Sequence, residues 1–329
     1  MKKLLTILMI SLLILGAVGT SAAAEELKVA FIPQLIGIPY FSAMEEGGNE
    51  AAERFGFEFT YTGPTQTSAP EQVKIMDSLI RQEYDAISIS VLDPESINPI
   101  ISKAREKGIS VLTSDSDSSK DSKRQAFVAQ AMNKDLGYTL IDELASQIDN
   151  EGKIGIISGE ATATNLNAWI EYMQERVEAE YPEIEIVEVL YTSGGSSEDA
   201  FRKAQQLMTK QPDLKGLVAV ASTTVPGVAQ AVQTMGKTGQ VKVIGYGSPN
   251  TVRSQIKNGV MEASILWNPK ELGYLTAWAG MKLAKGEEFE EVNNVPGLDD
   301  PVKWYPEDKI LLLGPPLVIT EENVDDFDF

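Results

Sequence analysis

The chain has 329 residues and a formal net charge of −20, with 48 acidic against 28 basic side chains and neither histidine nor cysteine. So acidic a surface repels nucleic acid and anionic lipid, and we expect no nucleic-acid partner. The missing histidine removes the commonest general base and the usual zinc ligand, while the missing cysteine excludes disulfides. These features disfavour an enzyme, and we expect no catalytic residues, no metal ion and no cofactor.

The N-terminus has the order of features of a secretory signal peptide. Two lysines follow Met1, an apolar run covers residues 4–18, and small residues lead to Ala24. This order predicts a signal peptide over residues 1–24, cleaved near Ala24. The alternative, an uncleaved anchor, is less favoured because the small residues before Glu25 favour cleavage. The apolar run is also shorter than the ~20 residues that span a bilayer. We therefore expect a mature protein located in the periplasm.

Short β-branched runs alternate with amphipathic helical stretches along the first half of the chain. Strands are predicted over residues 27–32, 58–61, 86–91 and 109–113. The first helix is predicted over residues 40–55. A second helix is predicted from one apolar face, formed by Val73, Met76, Leu79 and Ile80. A third is predicted from the apolar residues Ile97, Ile100, Ile101 and Ala104, and it ends at Gly108.

A polar stretch over residues 116–123 has no periodicity and predicts a crossover to a second series of elements. In that series, strands are predicted over residues 126–129, 153–158, 184–191, 216–220, 241–246 and 263–266. The matching helices cover residues 134–148, 167–181, 198–210, 225–235, 251–257 and 270–284, and an irregular tail follows.

This alternation predicts an α/β fold of two doubly wound parallel-sheet domains. We expect residues 25–122 with 268–300 to form the N-terminal lobe, and residues 123–267 with 301–329 to form the C-terminal lobe. Loops at the carboxyl ends of parallel strands line the crevices of such domains. Two lobes that face one another would enclose a cleft, and a hinge between them would let the cleft close on a ligand.

The residues that follow each predicted strand have amide, hydroxyl, carboxylate and aromatic side chains, without a cationic cluster, a glycine-rich phosphate loop or metal-ligand spacing. Our candidates for ligand binding are Gln34, Tyr40, Phe41, Asp115, Asn165, Asn167, Val220, Ser222, Trp267 and Asn268. Such a set suits a small guest made of hydroxyls and carbonyls, since carboxylates and amides pair with hydroxyl groups and aromatic faces cover C–H surfaces. A small sugar-like ligand is the partner that this set predicts.

Asp115 is the first choice as ligand anchor because a charge-assisted hydrogen bond contributes roughly 1.5–3 kcal/mol. Alternatives remain open for several candidates. Asp115 could cap a turn, Asn165 could cap the helix that it begins, and Phe41 is also in register with the helix's core stripe. We treat Trp169, Trp278 and Trp304 as packing residues, and Asp93 is a weaker candidate carboxylate.

Several motifs together are similar to those of the ribose-binding type of periplasmic binding protein, in the branch that holds autoinducer-2 receptors and rhamnose-binding proteins. The motifs are Phe31-Ile32-Pro33 with Gly37 and Phe41, Tyr61-Thr62-Gly63-Pro64-Thr65, Asp77-Ser78-Leu79-Ile80, Thr113-Ser114-Asp115-Ser116-Asp117 and Asp326-Phe327-Asp328-Phe329. The resemblance covers nearly the whole mature chain. It implies the type I, venus-flytrap fold and delivery of the ligand to a membrane ABC permease.

The resemblance also bears on the ligand. Where autoinducer-2 receptors have a lysine after the first strand this chain has Gln34, and where they have Asp-Gln it has Asn165-Leu166. Asp115 matches them. Other motifs are closer to the rhamnose-binding proteins, namely Thr164-Asn165, Asn167, Trp169-Ile170, Trp267-Asn268-Pro269 and Leu272-Gly273-Tyr274. A monosaccharide or deoxysugar is therefore preferred to autoinducer-2.

Four functions are candidates for such a chain. Transport of a sugar is the first hypothesis, with a chemoreceptor as a further candidate partner and a monomer as the expected state. Autoinducer-2 reception is the second. A sugar-responsive transcription regulator would need a basic helix-turn-helix before the first strand, where the signal peptide stands. An enzyme that acts on the sugar by acid–base chemistry would need two carboxylates flanking the bond, and only Asp115 has a firm position.

Overall fold

The computed structural model describes residues 26–329, so the predicted signal peptide over residues 1–24 lies outside the described residues. Within residues 26–329, no helix is long and apolar enough to cross a membrane. The strands and helices form two α/β lobes, each built on its own sheet.

The first lobe contains an eight-stranded sheet in the order β11-β12-β13-β5-β4-β3-β1-β2. Its parallel strands are β1 (Lys28–Ile32), β2 (Glu58–Tyr61), β3 (Ala86–Ile89), β4 (Ser110–Ser114), β5 (Ala126–Ala129) and β13 (Ile310–Leu312). Next to β13, β12 (Val302–Tyr305) and the edge strand β11 (Val292–Asn293) are antiparallel.

Helices cover both faces of this sheet, as a doubly wound domain requires. They are α1 (Pro39–Phe55), α2 (Ala69–Arg81), α3 (Asn98–Glu106) and, late in the chain, α9 (Pro269–Ala284). Because successive side chains of a strand point to opposite faces, Val29 and Phe31 pack in one core with α1 and α9. Ala30 and Ile32 pack in the other, with α2 and α3.

The second lobe contains a parallel sheet in the order β7-β6-β8-β9, followed by an antiparallel pair. The strands are β6 (Gly152–Ser158), β7 (Ile184–Tyr191), β8 (Leu214–Ala219), β9 (Lys242–Gly245), β10 (Ala263–Leu266) and β14 (Leu317–Thr320). The helices are α4 (Asn133–Gln147), α5 (Thr164–Glu180), α6 (Ser197–Lys210), α7 (Val225–Thr234) and α8 (Pro249–Lys257).

Three strands that the sequence assigned to the C-terminal lobe, β5, β12 and β13, belong instead to the first sheet. Strand β5 hydrogen-bonds beside β4, with Phe127 opposite Thr113, and β13 adds beside β5. The predicted boundaries at residues 122/123 and 300/301 therefore need correction. The polar stretch before β5 is a loop within the first lobe, where Arg124 pairs with Asp117 at 2.6 Å.

The pairing gives the chain three passages between the sheets. They fall in residues 130–132, after β5, in residues 267–268, between β10 and α9, and in residues 313–316, between β13 and β14. Each passage is short, which is the usual arrangement of a hinge that leaves two rigid lobes free to rotate.

Helices α1 and α9 pack with their backbones in direct approach. A Cβ atom added at Gly273 would overlap the backbone of Met44, and one added at Gly47 would overlap the carbonyl group of Lys270. Glycine is needed at both positions because it has no side chain to separate the two helices. This contact fixes α1, whose first turn carries Tyr40 and Phe41.

Replacing Gly273 with alanine tests this contact. Overpacking a tight interior contact costs roughly 1–3 kcal/mol, so Gly273→Ala should lower the free energy of unfolding by about that amount in urea titrations. Gly314→Ala is the matched control because its added Cβ would meet no atom within 4 Å. Equal stabilities for the two variants would contradict the proposed helix contact.

Candidate ligand-binding site

A cavity of about 180 Å³ lies where the carboxyl ends of the strands of both lobes meet. From the first lobe it is lined by residues that follow β1, β3 and β4, namely Gln34, Leu35, Val91, Leu92 and Asp115. From the second lobe it is lined by residues that follow β6 to β10, among them Glu160, Thr162, Gly194, Ser222, Tyr246 and Trp267. This is the position where doubly wound domains bind ligands.

The structure brings eight of the ten candidate residues to the lining of this one cavity. They are Gln34, Tyr40, Phe41, Asp115, Asn165, Val220, Ser222 and Trp267. Tyr40 and Phe41 come from the first turn of α1, and Asn165 from the first turn of α5. Phe41 also packs against Phe31, with ring centroids 6.4 Å apart, so it serves the core and the cavity together.

Asn167 and Asn268 do not line the cavity. The Asn268 side chain accepts hydrogen bonds from the backbone N–H groups of Lys270 and Glu271, so it caps α9. Asn167 donates through Nδ2 to the carbonyl oxygen of Ala161 at 2.9 Å. Both amides stabilise helix starts, which is the ordinary use of asparagine beside a helix N-terminus.

Asp115 is buried, with 6% of its surface exposed, and both of its carboxylate oxygens accept hydrogen bonds. The Tyr40 hydroxyl donates to Oδ1 and the Ser90 hydroxyl donates to Oδ2, each at 2.7 Å. Burial raises the pKa of Asp115 above its ordinary value, and these two hydrogen bonds limit the rise. Since each carboxylate oxygen has two lone pairs, Asp115 can still accept hydrogen bonds from a ligand.

The backbone of Asp115 is left-handed, with φ +66°. Aspartate and asparagine are among the few residues other than glycine that adopt this conformation readily. The turn that it forms directly after β4 directs the carboxylate towards Tyr40 and Ser90. The turn-capping role belongs instead to Asp117, which accepts hydrogen bonds from the Ser118 N–H group and from Arg124.

Tyr40 connects Asp115 to the strand end of the second lobe. Its hydroxyl donates to Asp115 and accepts a hydrogen bond from Trp267 Nε1 at 2.9 Å. Burial, together with the neighbouring Asp115 charge, raises the pKa of Tyr40 well above its ordinary value. The phenol therefore stays protonated and remains a donor.

Aromatic rings continue from Trp267 across the wall of the cavity. Trp267 lies 5.8 Å from both Tyr40 and Trp169, and Trp169 lies 4.8 Å from Tyr246, measured between ring centroids. From the sequence, Trp169 was predicted to be a packing residue. In the structure it both packs in the core and lines the cavity. Its Nε1 donates to Asn133 Oδ1 at 2.8 Å.

Sequence reasoning missed Tyr246 because the predicted strand over residues 241–246 ends one residue too late. Strand β9 stops at Gly245, which makes Tyr246 the first residue of the loop and places it in the lining. Its hydroxyl is buried and has no hydrogen-bond partner among residues 26–329. Glu160 was missed because the loop after β6 offered Asn165 as a more obvious candidate.

The chain's relatives agree with this architecture. Residues 29–288 match the family model of the periplasmic binding protein domain. The chain belongs to the periplasmic binding protein family. It has the type I fold of that family, and it is a binding protein, not an enzyme.

Among curated relatives of this periplasmic binding protein, the D-ribose/D-allose-binding protein of Pseudomonas aeruginosa is 27% identical over 71% of this chain and 75% of the relative. A sugar ABC transporter structure from Actinomyces odontolyticus has 32% identity and TM-score 0.78, covering 92% of this chain and 98% of that one.

Two further solved structures come with ligands. A solute-binding protein from Clostridium phytofermentas with bound L-rhamnose has 25% identity and TM-score 0.83, covering 92% of this chain and 98% of that one. A protein from Clostridium saccharobutylicum in complex with autoinducer-2 has 24% identity and TM-score 0.83, covering 92% and 100%. The latter likeness concerns the fold alone.

Tyr40→Phe tests the hydrogen-bonded link in this periplasmic binding protein. Removing the hydroxyl leaves Trp267 Nε1 without its acceptor and takes one donor from Asp115, and an unsatisfied buried group costs about 1–3 kcal/mol. We expect the free energy of unfolding to fall by that amount in chemical denaturation. Tyr191→Phe, at an exposed tyrosine, is the control and should change it little. A stability loss no larger than the control's would contradict the link.

Proposed function

We propose that this protein captures a monosaccharide or deoxysugar, of the rhamnose type, in the cavity between its lobes and delivers it to an ABC importer. The observation that carries the proposal is the buried Asp115 carboxylate, held by Tyr40 and Ser90 at a cavity that both lobes line. The similar D-ribose/D-allose-binding protein and the similar structure with bound L-rhamnose support the same class of ligand.

The size of the cavity suits a single sugar. The cavity has a volume of about 180 Å³ and is lined by residues of both lobes, which suits a small guest such as a monosaccharide. Larger drug-sized ligands use pockets of about 300–1,000 Å³.

The lining chemistry suits hydroxyl groups. Asp115 and the Gln34 amide oxygen accept hydrogen bonds, while hydroxyl side chains such as Thr162 and Ser222 both donate and accept. Trp169 and Trp267 offer apolar faces to the C–H surfaces of a sugar ring. This combination of paired polar groups and aromatic cover favours a polyhydroxylated guest.

Autoinducer-2 is the second candidate ligand. Its case rests on Asp115, which matches the carboxylate of autoinducer-2 receptors. Against it, the position of their cationic side chain is taken by Gln34, whose Nε2 donates to the Val91 carbonyl oxygen at 3.0 Å. A buried ligand group that loses its partner costs about 1–3 kcal/mol, so the sugar is preferred.

Export to the periplasm and an ABC permease as partner are part of this proposal. The match to the periplasmic binding protein domain, the D-allose-binding periplasmic protein of Escherichia coli as a relative, the similar sugar ABC transporter structure and the predicted signal peptide support them. Cleavage near Ala24, a chemoreceptor partner and a monomeric state stay predictions from the sequence.

Calorimetry with L-rhamnose, D-ribose, D-allose, D-arabinose and autoinducer-2 tests the ligand class. We expect at least one neutral sugar to bind, and Asp115→Asn to weaken that binding at least tenfold, since a charge-assisted hydrogen bond contributes roughly 1.5–3 kcal/mol. Asparagine keeps the shape and tolerates the left-handed backbone, so the melting temperature should stay within a few degrees.

The control is Asp93→Asn, the same substitution at an exposed carboxylate outside the cavity lining. It should leave the dissociation constant unchanged. A dissociation constant that does not respond to Asp115→Asn would remove Asp115 from the site. Binding of autoinducer-2 alone would replace the sugar by the second candidate.

Ligand should also draw the lobes together, because both contribute to the lining and a ligand favours the state in which it makes more contacts. Small-angle X-ray scattering should record a smaller radius of gyration on saturation with the bound sugar. Asp115→Asn at the same sugar concentration should contract less. An unchanged scattering profile on full occupancy would argue against closure.

A further inference from the structure

The charged residues in the cavity lining are all acidic. Asp115 comes from the first lobe and Glu160 from the second, and among residues 26–329 no lysine or arginine lines the cavity. Arg124, a buried basic residue that follows the polar stretch over residues 116–123, is paired with Asp117 at 2.6 Å. A buried carboxylate without a cationic partner is a costly arrangement, which a positively charged guest would relieve.

Several donors of the lining side chains are already used within the protein. One N–H group of Gln34 and the indole N–H groups of Trp169 and Trp267 donate to protein acceptors. The Tyr40 hydroxyl donates to Asp115. Acceptors that a guest can use include the second lone pairs of Asp115, the Gln34 amide oxygen and the Glu160 carboxylate, which also accepts from the Gly194 N–H group.

The second lobe supplies donors at a different place. Helix α5 begins in the lining, and its N-cap residue, Ala163, has no side chain that could accept a hydrogen bond from the helix start. Its first N–H groups therefore suit hydroxyl oxygens of a guest. Asn165 and the unpartnered Tyr246 hydroxyl can serve such oxygens as well. The guest therefore needs hydroxyl groups to accept from the donors of the second lobe, and a group that only donates to pair with Asp115.

We propose that the guest is an amino sugar, a monosaccharide in which one hydroxyl is replaced by a protonated amine that Asp115 binds. An ammonium group has three donors and no acceptor. Its hydrogen bonds to a carboxylate are charge-assisted and stronger than those of a neutral hydroxyl. The ring of Tyr40, whose hydroxyl donates to Asp115, also lines the cavity and can add cation–π attraction. This inference rests on the proposed function and narrows its ligand.

Calorimetry on the full mature chain at near-neutral pH, with D-glucosamine, D-galactosamine and D-mannosamine against D-glucose, D-galactose and D-mannose, tests the inference. Each pair differs by one amine in place of one hydroxyl. We expect at least one amine to bind at least tenfold more tightly than its neutral parent. Asp115→Asn should reduce that ratio to about threefold or less, and Glu160→Gln should reduce it less.

Every other outcome counts against the amino sugar. Neutral parents that bind as tightly as the amines, or a neutral sugar such as L-rhamnose binding while all amines fail, would overturn this inference and leave the proposed function intact. A ratio that survives Asp115→Asn would also overturn it. Absence of binding by every amine and every neutral sugar would overturn the proposed function together with the inference.

Discussion

The hydrogen bond from Tyr40 to Asp115 fixes the centre of this molecule. It holds a buried carboxylate whose pKa is raised by burial, and the same tyrosine hydroxyl accepts a bond from Trp267 at the passage between β10 and α9. A carboxylate in this place would be costly without such donors. The anchor for a ligand and the hydrogen bond to Trp267 therefore depend on one phenol.

The packing of the helices explains how the Tyr40 phenol is held within hydrogen-bond distance of Asp115 and Trp267. Helix α1 carries Tyr40 and is pressed against α9 through glycines at positions 47 and 273. Helix α9 starts right after Trp267, capped by Asn268. Tyr40 lies in the first turn of α1, and Trp267 directly precedes the N-cap of α9. These two helices cannot shift against each other without a clash. Rigid elements of this kind hold a binding site more accurately than loops do.

Much of the candidate site followed from one rule applied to the sequence. Because parallel strands present their carboxyl ends at a common edge, the residues after each predicted strand gave Gln34, Asp115, Val220, Ser222 and Trp267, and all five line the cavity. The rule failed where a strand end was misplaced. Tyr246 was counted inside its strand, since its aromatic side chain favours a strand and the single Gly245 did not mark the end of the β-branched run.

The errors in the lobes have a different origin. Strand β5 was recognised as a strand but assigned to the wrong sheet, because a polar stretch before it was interpreted as a crossover. Local composition indicates a loop equally well whether the chain stays in one sheet or leaves it. Asn268 was a similar case, since an asparagine before a helix that begins with proline can cap the helix or bind a ligand. In the structure its side-chain oxygen accepts hydrogen bonds from two backbone N–H groups of the helix start, so it is a cap.

The sequence alone determined the alternation of strands and helices, the parallel α/β class and the acidic, histidine-free chemistry of the chain. These depend on periodicity and composition, which are local properties. Only the tertiary structure decided that β5 and β13 join the first sheet, that Tyr40 and Ser90 hold Asp115, and that no basic side chain of the described residues reaches the cavity lining. Those outcomes depend on which distant segments meet in space, and no local pattern contains that information.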